Sequence, residues 1–75
     1  MDDILNRITS EPGKCGGKLC VRGMRIRVVD VLELLASGMT QVQILEEHPD
    51  LEAEDIKACL IFSAARSNFP FHKAA

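Results

Sequence analysis

The strongest constraint in this 75-residue chain is the punctuation between positions 38 and 56. Gly38 supplies a left-handed stop. Thr40 and Gln43 have the spacing of a capping box, and Met39 and Ile44 that of the hydrophobic staple that accompanies one. Pro49 ends that segment, because the residue before a proline resists the helical region. Leu51 and Ile56 repeat the staple spacing, and Glu54 and Asp55 stand where a helix N-terminus favours negative charge. A chain cut in this way cannot run one long helix. It predicts three short ones: about 29–37 with Asp30 as N-cap, a second from Thr40 to Pro49, and a third at about 53–67.

Upstream the apolar period falls to two. Lys18-Leu19-Cys20-Val21-Arg22 and Arg25-Ile26-Arg27-Val28 both alternate, as strands with one buried face do. Gly23-Met24 between them fits a two-residue type II′ turn. That register sets Arg22 opposite Arg25 and Cys20 opposite Arg27, with Leu19 against Val28 and Val21 against Ile26 on the other face. The expected fold class is α+β. A short N-terminal β-hairpin within 1–28 precedes a three-helix, homeodomain-like (helix-turn-helix) bundle over 29–67, with a tail at 68–75, all in one domain. A chain of this size buries only about 60% of its unfolded surface. A lone ribbon is marginal in water, so it packs on the helices or on a second copy.

One face of that ribbon collects Lys18, Arg22, Arg25 and Arg27. Such a face suits DNA phosphates or an acidic protein. The plainer alternative is a solvated strand face whose cations deter edge pairing. Arg22 opposite Arg25 is a like-charge pair and calls for a carboxylate or a ligand nearby. The charge is uneven along the chain. Residues 1–28 hold six bases against three acids, and residues 29–75 three bases against eight acids, within a net charge of −2. The last helix carries Ile56, Cys59, Leu60, Ser63 and Ala64 on one face, while Ile61, Phe62 and Ala65 line much of the rest. A helix so apolar is buried on two sides, and a two-fold partner is the simplest second burial. Ile61, Phe62, Ala65 and Phe69 are therefore the expected dimer interface. Glu52, Glu54 and Asp55 at the start of that helix repel phosphates, which moves any nucleic-acid contact to the ribbon.

Catalytic chemistry finds little support. The odd count of three cysteines argues against a secreted disulfide scaffold and for free thiols in a reducing cytoplasm. Cys15 and Cys20 are five apart, but no second close pair completes a zinc site. Gly13-Lys14-Cys15-Gly16-Gly17-Lys18 lacks the spacing of a phosphate loop. No carboxylate pair and no base-and-orienter arrangement stands out. The chain is expected not to be an enzyme and to need no metal or cofactor. With no Trp and no Tyr it has no base-stacking platform. No run approaches the ~20 apolar residues of a membrane span, and the acidic Met1-Asp2-Asp3-Ile4 start lacks a signal peptide's base.

The ordered motifs carry a resemblance. Cys15-Gly16-Gly17-Lys18, Val21-Arg22-Gly23-Met24-Arg25-Ile26, Leu34-Leu35-Ala36-Ser37-Gly38 and Pro49-Asp50-Leu51 with Glu54-Asp55-Ile56 follow one another in this order. Together they resemble the small prokaryotic family labelled "domain of unknown function 433" over about residues 5–66. Met24 stands where that family usually has Thr, Arg27 where Pro is common, and Glu52 where a Thr cap is usual. Arg27 adds charge and frees one N–H for the ladder, whereas Glu52 weakens the start of the last helix. The resemblance implies a homeodomain-like fold, a homodimer, and an antitoxin paired with a PIN-like ribonuclease toxin.

Two functions follow. One is a DNA-binding antitoxin or transcriptional regulator. In it the ribbon, through Lys18, Arg22, Arg25 and Arg27, contacts operator DNA, and the helical body dimerises and holds the toxin. The other is a protein-interaction module with no nucleic-acid role.

Overall fold

Thr40 opens a helix as its spacing predicts. Its Oγ1 accepts from the Gln43 N–H at 3.1 Å, and the Gln43 Oε1 accepts from the Thr40 N–H at 2.8 Å. The computed structural model describes residues 2–10 and 18–67. Within them run α1 (Asp2–Leu5), β1 (Ile8–Thr9), β2 (Cys20–Val21), α2 (Val28–Ala36), α3 (Gln41–Glu47) and α4 (Ala53–Ser67). An antiparallel β-pair followed by three helices is the α+β layout that the pattern predicts.

The helix ends follow their signals. α2 closes in a Schellman motif: the Gly38 N–H donates to the Leu35 carbonyl at 3.0 Å and the Met39 N–H to the Leu34 carbonyl at 3.2 Å, with Gly38 at φ +102°. α3 stops at His48, just before Pro49. α4 spans the predicted residues. The start of α2 differs from expectation. Arg27 is its N-cap, and Asp30 lies three residues in, where its Oδ2 accepts from the Arg27 N–H at 3.0 Å. The N–H that Arg27 gains over a proline therefore goes to a helix cap and not to a sheet ladder.

The ribbon is shorter than its alternation suggests. Cys20 does bridge Arg27 in the expected register, with the Val21 N–H on the Ile26 carbonyl at 2.9 Å and the Val28 N–H on the Leu19 carbonyl at 3.0 Å. The full β-ladder, however, pairs β2 with β1, Ile8 with Val21 and Thr9 with Cys20. Two β-branched residues are too few to show a period, so β1 leaves no trace in the sequence pattern. The turn is centred on Arg22-Gly23 and not on Gly23-Met24. The Met24 N–H closes it on the Val21 carbonyl at 2.8 Å, and both Arg22 and Gly23 have positive φ, +46° and +71°, as a type I′ turn requires. Arg22 is thus a turn residue and does not lie opposite Arg25 on a strand face.

The core is Val21, Val28, Val31, Ile44, Leu51, Ile56 and Cys59, with Met39 and Phe62 packed against it. Both staples close on this cluster. α4 packs against α1 and β1 as well as α2 and α3. Its buried strip consequently runs through Asp55, Ile56, Ala58 and Cys59, and Leu60, expected inside, is 43% exposed. No helix among the described residues is long and apolar enough to cross a membrane.

Candidate functional site

The cations of the ribbon region divide into two kinds. Arg22 is committed inside its own chain. Its Nε donates to Asp55 Oδ1 at 2.9 Å, and its Nη2 donates to Asp55 Oδ2 and to the Asp50 carbonyl, each at 2.8 Å. Arg7 joins from the turn after α1, and its Nη1 donates at 2.8 Å to Asp55 Oδ1 and to Glu52 Oε1. The Glu52 N–H completes the set on Asp55 Oδ2 at 2.8 Å. Asp55 is fully buried. Burial by itself would raise its pKa, but the hydrogen bonds from Arg22, Arg7 and the Glu52 backbone outweigh that and hold the carboxyl below its ordinary value. The same carboxylate therefore caps α4 where Glu52 provides no Thr hydroxyl. It also fastens the N-terminal segment and the β-turn to α4.

Arg27 is likewise taken. Its Nη2 donates to Asp30 Oδ1 at 2.6 Å and its Nε donates to both carboxylate oxygens. These bonds lower the Asp30 pKa against a smaller opposing effect of burial. Lys18 and Arg25 are the cations of the expected face that have no carboxylate partner among the described residues. They line different grooves, so Lys18, Arg22, Arg25 and Arg27 do not make one free cationic surface. The carboxylate that Arg22 calls for is Asp55. The alternation could not reveal it, because the pair closes through tertiary packing.

A groove of about 360 Å³ runs between Leu19, the first turns of α2 and the second half of α4. Its floor is Leu19, Val28, Val29, Leu32 and Phe62, and its charged members are Lys18 and Arg66. The Arg66 guanidinium sits 5.8 Å from the centre of the Phe62 ring. A second groove, of about 330 Å³, is mixed in charge, with Arg25, Asp30, Glu33 and His48 around Ile26 and Leu34. Of the expected dimer residues, Phe62 packs on the core and lines the first groove. Ile61 is half-buried and Ala65 exposed, and Phe69 lies outside the described residues. The sequence reading passed over Arg66 and Arg7. Their signals, a base four residues after Phe62 and a base beside an apolar strand, are too common to single them out.

Among the described residues the cysteines do not form a site. Cys59 is buried, and desolvation followed by the nearby Asp55 charge pushes its pKa up to about 11, far from a reactive thiolate. Cys20 is disulfide-bonded, which corrects the expectation of a free thiol there. An odd count leaves one cysteine over but does not forbid a pair. Among the described residues no group of three or more His, Cys, Asp or Glu is placed to hold a metal ion.

Comparison with known proteins agrees with this architecture. Residues 8–63 match the family described as "Protein of unknown function (DUF433)". Over 58 residues the chain is 40% identical to an uncharacterized protein, y4eO, of Sinorhizobium fredii; the match takes in 77% of this chain and 26% of that protein, so the chain spans about a quarter of its relative's length. The crystal structure of a DUF433 member protein from Anabaena variabilis is similar over 89% of this chain and 66% of its own, with a TM-score of 0.78 and 28% identity.

Proposed function

The chain belongs to the family described as "Protein of unknown function (DUF433)", and from that premise we propose that it is a protein-interaction module, built to hold a partner protein and not nucleic acid. One observation carries the reading: Arg22 and Arg27, half of the cationic set on which a polyanion contact depends, are neutralised by Asp55 and Asp30 of the same chain. The first turn of α4, where a recognition helix meets base edges, carries Glu54 and Asp55. In the setting that the family resemblance implies, the partner is a toxin of the PIN-like ribonuclease type and the module is its antitoxin. A homodimer through Ile61 and Ala65 of α4 belongs to the same reading.

The test has two arms. A DNA fragment covering the chain's own promoter is expected to show no shift at about 50 mM salt. The product of the adjacent gene, co-expressed with the chain, is expected to co-purify with it in fixed stoichiometry. A DNA shift that weakens steeply with added salt overturns the reading in favour of a DNA-binding regulator.

A further inference from the structure

We propose that the groove between Leu19, α2 and α4 is the docking site, and that its occupant is an amphipathic helix of the partner protein with acidic side chains flanking its apolar stripe. This rests on the interaction reading above and names the surface and the chemistry it takes.

The argument begins with charge. The chain has 11 acids against 9 bases, yet the charged residues that line this groove, Lys18 and Arg66, are both cations. Neither has a carboxylate partner among the described residues, whereas Arg7, Arg22 and Arg27 all have one. Arg66 is held over the Phe62 ring, so its charge stands in place before a partner arrives. Between the two cations lies apolar floor from Leu19, Val28, Leu32 and Phe62, with Val29 39% exposed. Apart from the Ser63 hydroxyl, the uncharged lining offers no side-chain donors to bases or sugars. It suits the apolar face of a helix anchored at i, i+3, i+4 and i+7, and cations at its rim select acidic flanks. A second copy docked by a two-fold axis through this face would bring the Lys18 and Arg66 cations of one copy toward those of the other. That geometry favours a different, acidic chain.

The test uses two synthetic amphipathic peptides of about 18 residues with the same leucine stripe, one flanked by Glu and the other by Lys. Each is titrated into the full ¹⁵N-labelled chain while the amides of Val29, Leu32, Phe62 and Arg66 are followed. The Glu peptide is expected to move these amides and to bind about tenfold more tightly than the Lys peptide. The double variant Lys18→Glu/Arg66→Glu, altered only at the surface, is expected to reverse that order. Equal binding of the two peptides overturns the proposal, as does failure of the Glu peptide to move the groove at about 1 mM. So does movement of the groove by dodecanoate but not by peptide, which marks a small anionic amphiphile, or by raising the protein concentration alone, which marks a second copy. These outcomes are separate from the DNA arm. A chain that ignores both DNA and peptides loses the groove but keeps the interaction role, and a chain that shifts DNA loses the role whatever the peptides do.

Discussion

Arg22 grips Asp55 across 33 positions of sequence, with Nε on Oδ1 at 2.9 Å and Nη2 on Oδ2 at 2.8 Å. The arginine side chain is about one-third exposed and the aspartate side chain fully buried. The same arginine takes φ +46°, a conformation that costs a non-glycine residue on the order of 1 kcal/mol. The ion pair and the bond to the Asp50 carbonyl hold it there.

Asp55→Asn is therefore expected to be the most damaging conservative change in the chain. It keeps the shape but leaves two guanidinium groups without their shared anion. Breaking a fully buried pair from one side costs on the order of 3 kcal/mol; the cost here is smaller because both arginine side chains are a quarter to a third exposed, but it is still a sizeable part of what a domain of this size has. Urea denaturation followed by circular dichroism measures it. A midpoint equal to that of the wild type shows that the cluster is dispensable.

Acid is expected to weaken the fold through the same groups. Asp55 and Asp30 both have folded pKa values below their ordinary 3.8. A carboxyl depressed on folding contributes stability that is fully present above its unfolded value and is lost as pH falls through the folded one. The melting temperature should thus stay level from about pH 8 to pH 5 and fall below about pH 4. In Asp30→Asn the acid limb should be shallower. An unchanged limb in that variant excludes Asp30 as a contributor.

Cys59 should not react with a thiol reagent in the native state at pH 8. It is fully buried and its pKa lies near 11, so both access and thiolate fraction are lacking. Labelling should track global unfolding, which mass spectrometry of the modified peptide reports across a urea series. Fast modification in buffer implies local opening of α4.

Gly38→Ala separates backbone strain from packing. An added Cβ meets nothing within 4 Å, yet φ is +102°. The expected cost is about 1 kcal/mol or more, carried by the conformation alone. A loss of helix signal at the end of α2 should accompany it. A variant as stable as the wild type shows that the Schellman turn can reorganise.

Much of the helical frame was legible because its signals are local. Thr40 with Gln43, Gly38, Pro49 and the two staples each act over no more than five residues, and each appears in the structure where its spacing puts it. The bridge of Cys20 to Arg27 was legible for the same reason. Lys18, Arg22, Arg25 and Arg27 were misread as one face, since alternation predicts direction only while the strand lasts, and it ends at Val21. The buried role of Asp55 was hidden for a different reason. A carboxylate three residues into a helix reads as a favourable dipole charge whether it faces water or two arginines.

The sequence by itself determined the order of α2, α3 and α4 and their limits other than the N-cap of α2, because capping, proline geometry and the left-handed glycine depend on near neighbours. Only the tertiary structure decided which cations are free. Arg7 and Arg22 find Asp55 from 48 and 33 positions away, and no local pattern records a pairing that exists only once α1, the β-turn and α4 have packed together.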